Sequence, residues 1–398
     1  MKKRKLILLF FVIAILASFA LGFWFGENRK PRPIEGVINQ EEGKPEGVDF
    51  SLFWDAWRVL QEKYLEPLQP QEMLYGAISG MVKSLGDAYT VFFPPRETKM
   101  FKEDISGRFE GVGMEIGIRE EELTVIAPLE GTPAQKAGIR AGDKIIKIDE
   151  TSSQDITIEE AVSLIRGEKG TAVTLTIGRK GWDAPKEIEI VRDVIEVPSL
   201  KWEIKEENIC YIKIYHFSAK AGSDFKKAAL DILKSPGQKI ILDLRNNPGG
   251  YLEVAQDIAG WFLKRGEVVV IEDFGQGKET KEYKATGNGS FSEWPMVILI
   301  DQGSASGSEI LAGALRDNRG IILIGEKSFG KGSVQELKEL KEGSSLKITI
   351  AKWLTPKGEL ITELGLEPDI KIEMTEKDYE EGKDPQLEKA IEIIKGMR

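Results

Sequence analysis

The segment MVILIDQGSASGSEILAGALRD, Met296–Asp317, contains both patterns from which the core of this chain is built. Its first five residues, Met296–Ile300, form a continuous apolar run that predicts a buried strand. After the serines, Ile310, Leu311 and Leu315 recur at the spacing of a helix face. The serine cluster is therefore predicted to lie at a strand-to-helix turn. Backbone N–H groups and the positive end of a helix are available to a negative charge there.

The serines of this turn admit two interpretations. Ser306 and Glu309 have the spacing of a capping box, in which a serine only begins a helix. In the second interpretation, Ser306 is a nucleophile exposed at the top of a sheet, and the neighbouring N–H groups stabilise the oxyanion that its attack creates.

A second segment, GEKSFGKGSVQ, Gly325–Gln335, favours the nucleophile. It places Lys331 between Gly330 and Gly332, where tight backbone can hold a lysine in a protein interior. Lysine serves as a base only when burial or neighbouring positive charges lower its pKa, because its ordinary pKa is about 10.4. The two segments together predict a serine nucleophile served by a lysine base.

The single histidine of the chain, His216, is the rival base. It lies on an alternating segment, Ile212–Phe217, and we interpret it as structural, although a Ser-His-Asp triad assembles from distant positions and is not excluded by spacing. Cys210 is the only cysteine, so no internal disulfide is expected. One histidine and one cysteine do not furnish the usual ligand clusters, and we expect neither a metal nor a cofactor.

Four phrases in a fixed order carry a family resemblance: DLRNNPGG (Asp243–Gly250), GSASGSEILAGAL, GEKSFGKGSVQ and GLEPDI (Gly365–Ile370). They resemble the carboxy-terminal processing proteases, also called tail-specific proteases, over essentially all of the chain after Asp49. The resemblance implies a serine nucleophile, a lysine base and a glutamine that positions the base. On this chain those residues are Ser306, Lys331 and Gln335.

The oxyanion hole is expected to use the backbone N–H of Gly307 and a second donor from the turn at Gly249 and Gly250. The family usually has alanine where this chain has Gly307, a departure that bears on local stiffness more than on chemistry. We interpret Asp243 and Arg245, in the same phrase as the glycine turn, as structural residues.

Residues 103–193 resemble a PDZ domain. Thr132 with Gln135 and Thr157 with Glu160 spell capping boxes that predict two short helices between strands, and the phrase GTPAQKAGIRAGDKI strengthens the resemblance. PDZ domains bind a peptide C-terminus beside an edge strand. The resemblance implies a peptide site at Gly111, Val112, Gly113, Met114 and Arg166. A simple glycine turn is the alternative for the loop, and a favourable charge at a helix end is the alternative for the arginine.

An uncharged apolar run from Leu6 to Phe25 is long enough to cross a bilayer as one helix. Four basic residues precede it, so the positive-inside rule places the N-terminus in the cytoplasm and the rest of the chain outside, in the periplasm or at the cell exterior. We expect a membrane anchor. A signal peptide cleaved near Ser18–Ala20 is the alternative.

The expected fold is α/β: a crotonase- or Clp-like protease core, as the resemblance implies, with an inserted PDZ domain, an N-terminal helical region and one transmembrane helix. An aromatic stripe from Phe50 to Tyr64 is expected to be core and, by the resemblance, part of a homodimer interface. The predicted boundaries are an anchor or signal segment at 1–26, a linker at 27–48, the helical region at 49–102, the PDZ domain at 103–193, the protease core at 194–375 and a helical tail at 376–398.

The charge balance excludes one class of partner. Lysine and arginine number 55 against 65 acidic residues, a net charge of −10 without a clustered basic face, so no nucleic acid is expected. The predicted function is an extracytoplasmic serine endopeptidase that recognises apolar C-terminal tails of proteins or peptides and cleaves through an acyl-enzyme. The alternatives are a membrane-tethered PDZ adaptor with an inactive protease-like domain and an acyl-CoA enzyme of crotonase type.

Overall fold

The structure is a computed structural model that describes residues 18–19 and 47–397, apart from 120, 130, 155, 276 and 363. The chain divides into two units, residues 1–81 and 82–398. The anchor predicted at Leu6–Phe25 lies outside the described residues, except for Ser18 and Phe19. No helix in the described part of the chain combines the length and the hydropathy that a membrane span requires.

The first unit contains helix α1, Ser51–Lys63, and most of helix α2, Pro70–Lys83. The aromatic residues predicted to share one face of α1 do contact one another: the ring centroids of Phe53 and Trp54 are 4.8 Å apart, and Trp57 is buried. The far end of the stripe is different, because Tyr64 is 58% exposed. The stripe is therefore packed at its beginning and solvent-facing at its end.

The second unit begins with one strand and one helix and continues into the segment that resembles a PDZ domain. These elements are β1 (Val91–Phe93), α3 (Pro95–Ser106), β2 (Arg108–Gly111), β3 (Met114–Arg119), β4 (Glu122–Pro128), α4 (Pro133–Lys136), β5 (Lys144–Ile148), β6 (Thr151–Ser152), α5 (Ile158–Ile165), β7 (Ala172–Gly178), β8 (Lys186–Val191) and β9 (Asp193–Glu196).

The remaining elements alternate between strands and helices. They are β10 (Leu200–Lys205), β11 (Ile209–Ile214), α6 (Ala221–Ile232), β12 (Lys239–Asp243), α7 (Leu252–Phe262), β13 (Val268–Asp273), β14 (Lys281–Lys284), β15 (Met296–Ile300), α8 (Gly307–Arg319), β16 (Ile322–Gly325), β17 (Ser333–Glu339), β18 (Ser345–Leu354), β19 (Ile370–Lys371), α9 (Glu376–Glu381) and α10 (Pro385–Gly396).

Strands β3 to β8 form an antiparallel sheet in the order β3-β4-β5-β7-β8, with β6 paired to β5, around its own apolar core. Strands β2 and β9 pair antiparallel where the chain enters and leaves this body, from Arg108 opposite Glu196 to Gly111 opposite Asp193. The domain is thus connected to the rest of the unit through a short two-stranded ribbon.

The two capping boxes predicted in this body differ in outcome. The box of Thr157 and Glu160 is confirmed, because each side chain accepts a hydrogen bond from the backbone N–H of the other residue. The box predicted at Thr132 and Gln135 is wrong. The Thr132 hydroxyl instead donates to the buried carbonyl of Gly113 at 2.8 Å, and Gln135 accepts from the turn before the helix. The Thr132 hydroxyl therefore satisfies a buried backbone carbonyl instead of capping the helix.

A second sheet has the order β10-β11-β12-β15-β16-β19, and its strands from β11 to β19 are parallel. Helices α6, α7 and α8 cover one face, and α10 covers the other. Burial on both faces requires continuous apolar strands. All five residues of β15, Met296–Ile300, are buried as the sequence predicted.

A third, antiparallel sheet has the order β1-β18-β13-β14, with β17 paired to β18. The functional region lies where the parallel strands end. Strands β12, β15 and β16 are adjacent, and each runs into one of the glycine-rich turns singled out in the sequence. Because carboxyl ends of parallel strands meet at one sheet edge, the three turns converge.

Candidate active site

The backbone at Ser306 is the most unusual feature of the turn after β15. Ser306 has φ 53° and ψ −114°, a conformation that costs a non-glycine residue about 1–3 kcal/mol. The Ser306 N–H donates to the Glu309 carboxylate at 2.9 Å, which is one of the two hydrogen bonds of the predicted capping box. A serine that only capped a helix would have extended backbone.

The serines on either side of Ser306 point into the protein. The Ser304 hydroxyl donates to the carbonyl of Leu244 at 2.8 Å, and the Ser308 hydroxyl donates to the carbonyl of Asn247 at 2.9 Å. Both serines are fully buried. They fix the serine turn to the neighbouring turn after β12. Among the three serines, Ser306 is the one that lines a cavity.

That cavity has a volume of about 710 Å³ and is shared by the predicted site residues. Its polar lining includes Ser306, Lys331, Gln335, Gly249 and Gly250. Apolar side chains from α3, α7, α8, β17 and β18 line the rest of it. A mostly apolar cavity with a few polar groups is the usual form of a binding site for an organic substrate.

The glycine turn packs directly against the serine turn. A Cβ on Gly249 would lie 2.6 Å from the carbonyl oxygen of Ala305 and 2.8 Å from the backbone nitrogen of Gly307, so no other residue fits. Gly249 has φ 96° and Gly250 has φ 140°, values that L side chains rarely adopt. These contacts bring the backbone of Gly249 beside the Gly307 N–H, which the sequence analysis assigned to the oxyanion hole.

Gly307, where the family usually has alanine, packs against a buried ring. A Cβ there would lie 3.2 Å from the Phe217 ring, so an alanine requires the ring to move by a few tenths of an ångström. The departure from the family pattern therefore concerns packing beneath the turn, while the backbone N–H of residue 307 is unchanged.

Lys331 lies in the turn before β17 and is half-buried. Burial lowers the pKa of its amine, and the charge of Glu309 opposes this effect. The Lys331 ammonium lies 5.9 Å from the centroid of the Tyr89 ring, and it makes no hydrogen bond or ion pair with a described residue. A lysine in this setting loses its proton more readily than an exposed lysine does.

Glu309 joins the serine turn to the lysine turn. Its buried carboxylate accepts hydrogen bonds from the Ser306 N–H, the Ser328 hydroxyl, the Gly330 N–H and the Lys331 N–H, at 2.9, 2.6, 2.7 and 3.0 Å. Burial raises the pKa of Glu309, and these hydrogen bonds oppose the shift. From its spacing in the sequence, Glu309 is only the partner in a capping box, and no local pattern indicates its contacts with the lysine turn.

Gln335 lines the cavity but does not bind Lys331 in this structure. Its amide nitrogen donates to the carbonyl and the hydroxyl oxygens of Ser333, at 3.0 and 2.5 Å. The pairing of β17 with β18 shifts register between Val334 and Gln335, and this bulge turns the glutamine side chain toward the cavity. Gln335 therefore holds the segment that follows the lysine.

His216 also lines the cavity, and its surroundings differ from those of a catalytic triad. Burial lowers the pKa of its imidazole, and its Nε2 atom is buried without a hydrogen-bond partner in the described part of the chain. No described carboxylate hydrogen-bonds it. Asp243, the buried acid at the end of β12, instead accepts hydrogen bonds from Arg245 and Tyr211.

Asp243 and Arg245 connect the core sheet to the C-terminal helix. The Arg245 guanidinium donates to Asp243, to Asp384 at 2.8 Å and to Gln386 at 3.0 Å. Asp384 is the N-cap of α10, and its side chain accepts the N–H of Leu387. The network ties the start of that helix to the end of β12.

The residues predicted to bind peptide lie in the body formed by β3 to β8. Val112, Gly113, Met114 and Arg166 line a narrow groove of about 60 Å³, whereas Gly111 lies just before it. The Arg166 guanidinium donates to Asp104 of α3 at 2.6 Å and lies 4.3 Å from the centroid of the Phe109 ring. Arg166 thus joins the groove to a helix that also lines the large cavity.

Comparison with known proteins identifies the family of this chain and its PDZ domain. Residues 208–372 match the model of peptidase family S41, residues 124–179 match a PDZ domain, and residues 12–98 match the N-terminal domain of the activating protease CtpB. The carboxy-terminal processing protease CtpA of Bacillus subtilis (strain 168) is 36% identical over 380 residues, which cover 94% of this chain and 78% of the relative.

Two solved structures are also similar. The photosystem II D1 C-terminal processing protease aligns with a TM-score of 0.53 and 29% identity, over 82% of this chain and 89% of that protein. A putative S41 protease from Bacteroides fragilis NCTC 9343 aligns with a TM-score of 0.58 over 89% of this chain and 100% of that protein, and at 16% identity it supports the fold alone. The chain therefore belongs to peptidase family S41 as a serine-type, carboxy-terminal processing protease with a PDZ domain.

Proposed function

We propose that this protease cleaves peptide bonds through an acyl-enzyme formed on Ser306. Neutral Lys331 removes the Ser306 hydroxyl proton as the oxygen attacks the scissile carbonyl, and the resulting lysine ammonium gives a proton to the leaving amine. Water then hydrolyses the ester with Lys331 again as the base, which releases the new C-terminal carboxylate and restores the serine.

The observation that carries this proposal is the shared cavity. Ser306, Lys331 and the turn at Gly249 and Gly250 line one site, and Ser306 has a strained backbone, with φ 53° and ψ −114°. The N–H groups of Gly307 and of the glycine turn are the proposed oxyanion donors. One such donor contributes about 3–4 kcal/mol of transition-state stabilisation.

Gln335 is proposed to orient the base without changing its charge. Its hydrogen bonds to Ser333 hold the backbone two residues after Lys331. A neutral amide adds no negative charge beside the amine, so it leaves burial free to lower the lysine pKa.

The proposed substrates are proteins or peptides with apolar C-terminal tails. The groove that includes Val112, Met114 and Ile165 is apolar, and its position beside Gly113 suits a tail added as a strand. Arg166 lines this narrow groove and also donates a hydrogen bond to Asp104 of α3. We propose that this contact couples tail binding to the cavity.

Three further proposals concern the core fold, the cellular location and the oligomeric state. The parallel sheet between two helical layers supports a crotonase- or Clp-like core. The apolar run at Leu6–Phe25 supports a membrane anchor and extracytoplasmic action. The exposed end of the aromatic stripe, with Leu60 and Tyr64, supports a homodimer contact in the N-terminal region.

Replacement of Ser306 by alanine tests the proposal. The Ser306→Ala chain should fold, bind a tail peptide with unchanged affinity and lose cleavage of an unstructured protein substrate. The matched control is Ser308→Ala, which removes a buried hydrogen bond and should cost about 1 kcal/mol of stability while it retains cleavage. If cleavage survives in Ser306→Ala and disappears in Ser308→Ala, the nucleophile is Ser308 and the proposal for Ser306 is wrong.

A further inference from the structure

Strand β17, Ser333–Glu339, presents an open edge to the cavity that contains Ser306. It pairs with β18 on one side, and no strand in the described part of the chain pairs with its other side. Five consecutive residues of β17, 333–337, line the cavity. Successive side chains of a strand point to opposite faces, so a strand that lined the cavity with one face would contribute every second residue. The run of five therefore indicates that the backbone edge itself faces the cavity.

The carbonyl of Ser333 lies on this open edge. The Gly332 carbonyl accepts the N–H of Trp353 at 2.6 Å, so these two residues form a hydrogen-bonded pair between the strands. Hydrogen-bonded and non-hydrogen-bonded pairs alternate along an antiparallel ladder. Ser333, opposite Lys352, is therefore in a non-hydrogen-bonded pair, and its backbone N–H and carbonyl point away from β18. These groups lie two residues after Lys331.

The side chain of Gln335 occupies this edge. Its amide nitrogen donates to the Ser333 carbonyl at 3.0 Å and to the Ser333 hydroxyl at 2.5 Å. An amide N–H is also the donor that the backbone of an added strand would offer to the same carbonyl. Gln335 thus takes the place of a backbone N–H, and a chain that pairs with this edge has to displace it.

Displacement would leave the Gln335 amide in need of a new partner, because buried polar groups are nearly always hydrogen-bonded. Lys331, four residues earlier, lines the same cavity, and the side-chain oxygen of a glutamine can accept a hydrogen bond from a lysine amine. In this structure the glutamine bonds to Ser333 and not to Lys331. An exchange of partners therefore connects the arrangement seen here with the positioning role that the family resemblance implies.

We propose that the substrate backbone adds as a strand to the open edge of β17 and takes the Ser333 carbonyl from Gln335, whose freed amide group turns to Lys331. This inference rests on the proposed function, in which Ser306 and Lys331 act on a peptide bond in the same cavity. Gln335 is then a positioning residue that orients the base once an extended chain is bound. The ligand of the edge is a polypeptide backbone, so recognition there depends little on side chains.

Peptide affinity measured with the full-length Ser306→Ala chain tests the exchange without cleavage. The probe is a fluorescein-labelled peptide rich in alanine and leucine with an amidated C-terminus, because a PDZ groove binds the free carboxylate that the amide lacks. Gln335→Met keeps the length of the side chain and removes the competing amide, so the Kd should fall about three- to tenfold, the contribution of one hydrogen bond. Lys338→Met, at an exposed residue of the same strand, is the matched control and should leave the Kd unchanged.

A backbone scan of the same peptide tests strand addition without changing Gln335. Each peptide of the series carries one N-methyl group, which removes one backbone donor. Alternate N–H groups of an added strand face its partner, so the Kd should rise about three- to tenfold at every second position of one stretch and stay near the parent value between them. Equal losses at all positions, or no loss at any, would show that no strand is added and overturn the inference.

Failure of the exchange is distinguishable from failure of the proposed function. An unchanged or higher Kd in Gln335→Met, with an unchanged melting temperature, overturns the exchange. If the substitution lowers the melting temperature, the backbone scan decides alone, because it is made on an unaltered β17. In the chain that retains Ser306, a kcat lowered by Gln335→Met with unchanged peptide affinity leaves Gln335 as a positioning residue and overturns this inference only. Cleavage that survives in Ser306→Ala refutes the proposed function itself.

Discussion

Single residues decide how the serine turn and the lysine turn are held together. Ser304 and Ser308 bind carbonyls of the turn after β12, and Glu309 binds backbone N–H groups of both the serine turn and the lysine turn. The carboxylate of Glu309 accepts four hydrogen bonds, two on each oxygen. One buried side chain thereby positions the proposed nucleophile and the proposed base.

Glu309→Gln should therefore lower activity more than its small change in shape suggests. The glutamine keeps one oxygen, but its NH2 group faces either the donors of Ser328 and Gly330 or those of Ser306 and Lys331. Either way buried donors lose their acceptor, at about 1–3 kcal/mol each. We expect kcat to fall by about 10²-fold with KM little changed, because the two turns lose their common support.

The control for this prediction is Glu359→Gln. Glu359 is 65% exposed and pairs with Arg316 on the surface, where the loss of a charge costs at most about 1 kcal/mol. Steady-state kinetics and thermal melts of both variants make the comparison. Wild-type kcat in Glu309→Gln would show that the turns are held without this carboxylate.

The sequence predicted part of this site. It identified Ser306, Lys331 and the glycine turn because their residue types are rare in such spacing. It did not predict that Glu309 reaches the lysine turn, because the contact joins residues twenty-one and twenty-two positions apart through a fold that no local pattern encodes. The hydrogen bonds of Gln335 to Ser333 depend on a strand bulge, and the bulge arises from the pairing of β17 with β18, which the sequence did not predict.

At the scale of elements, helix α5 and helix α3 meet through Arg166. Helix α5 begins with the capping box predicted at Thr157 and ends at Arg166. The Arg166 side chain donates a hydrogen bond to Asp104 of α3. Local signals sufficed for the start of α5, since the box is made within four residues. The partner of Arg166 was not predictable from local sequence, because Asp104 of α3 lies 62 residues earlier in the chain.

Arg166→Ala should lower turnover of substrates that carry an apolar tail, by about tenfold, without a matching loss of tail-peptide affinity. The reason is that the substitution removes the link between the peptide groove and α3, and coupling energies of this kind are typically about 1–3 kcal/mol. The measurement is kcat for tailed and tail-less versions of one substrate, together with peptide binding by fluorescence anisotropy.

Lys169→Ala is the control, because Lys169 lies three residues further on and makes only an exposed pair with Asp193. If Arg166→Ala cleaves tailed substrates normally, or loses activity only in proportion to its melting temperature, Arg166 is a helix-end charge and the coupling lies elsewhere.

At the scale of the whole molecule, two features set the environment of the lysine. Parallel strands bring three turns to one sheet edge, and the antiparallel sheet of β17 and β18 forms the opposite wall. The sequence predicted β15, since Met296–Ile300 is a continuous apolar run and all five of its residues are buried. It did not predict the antiparallel wall, because β17 and β18 alternate lysine, glutamate and apolar residues in a pattern that leaves their partners undetermined.

The central claim is that neutral Lys331 activates Ser306, and the rate of Ser306 phosphonylation by a fluorophosphonate as a function of pH tests it most directly. Burial lowers the lysine pKa, and the neutral amine is the active form. In the wild type the rate should therefore rise with pH and level off below the ordinary lysine value of about 10.4. Lys331→Arg, which keeps the charge but does not deprotonate, should react no faster than Lys331→Ala at any pH. Rapid phosphonylation of the Lys331→Arg protein with an unchanged pH profile would contradict the claim and return the role of base to His216.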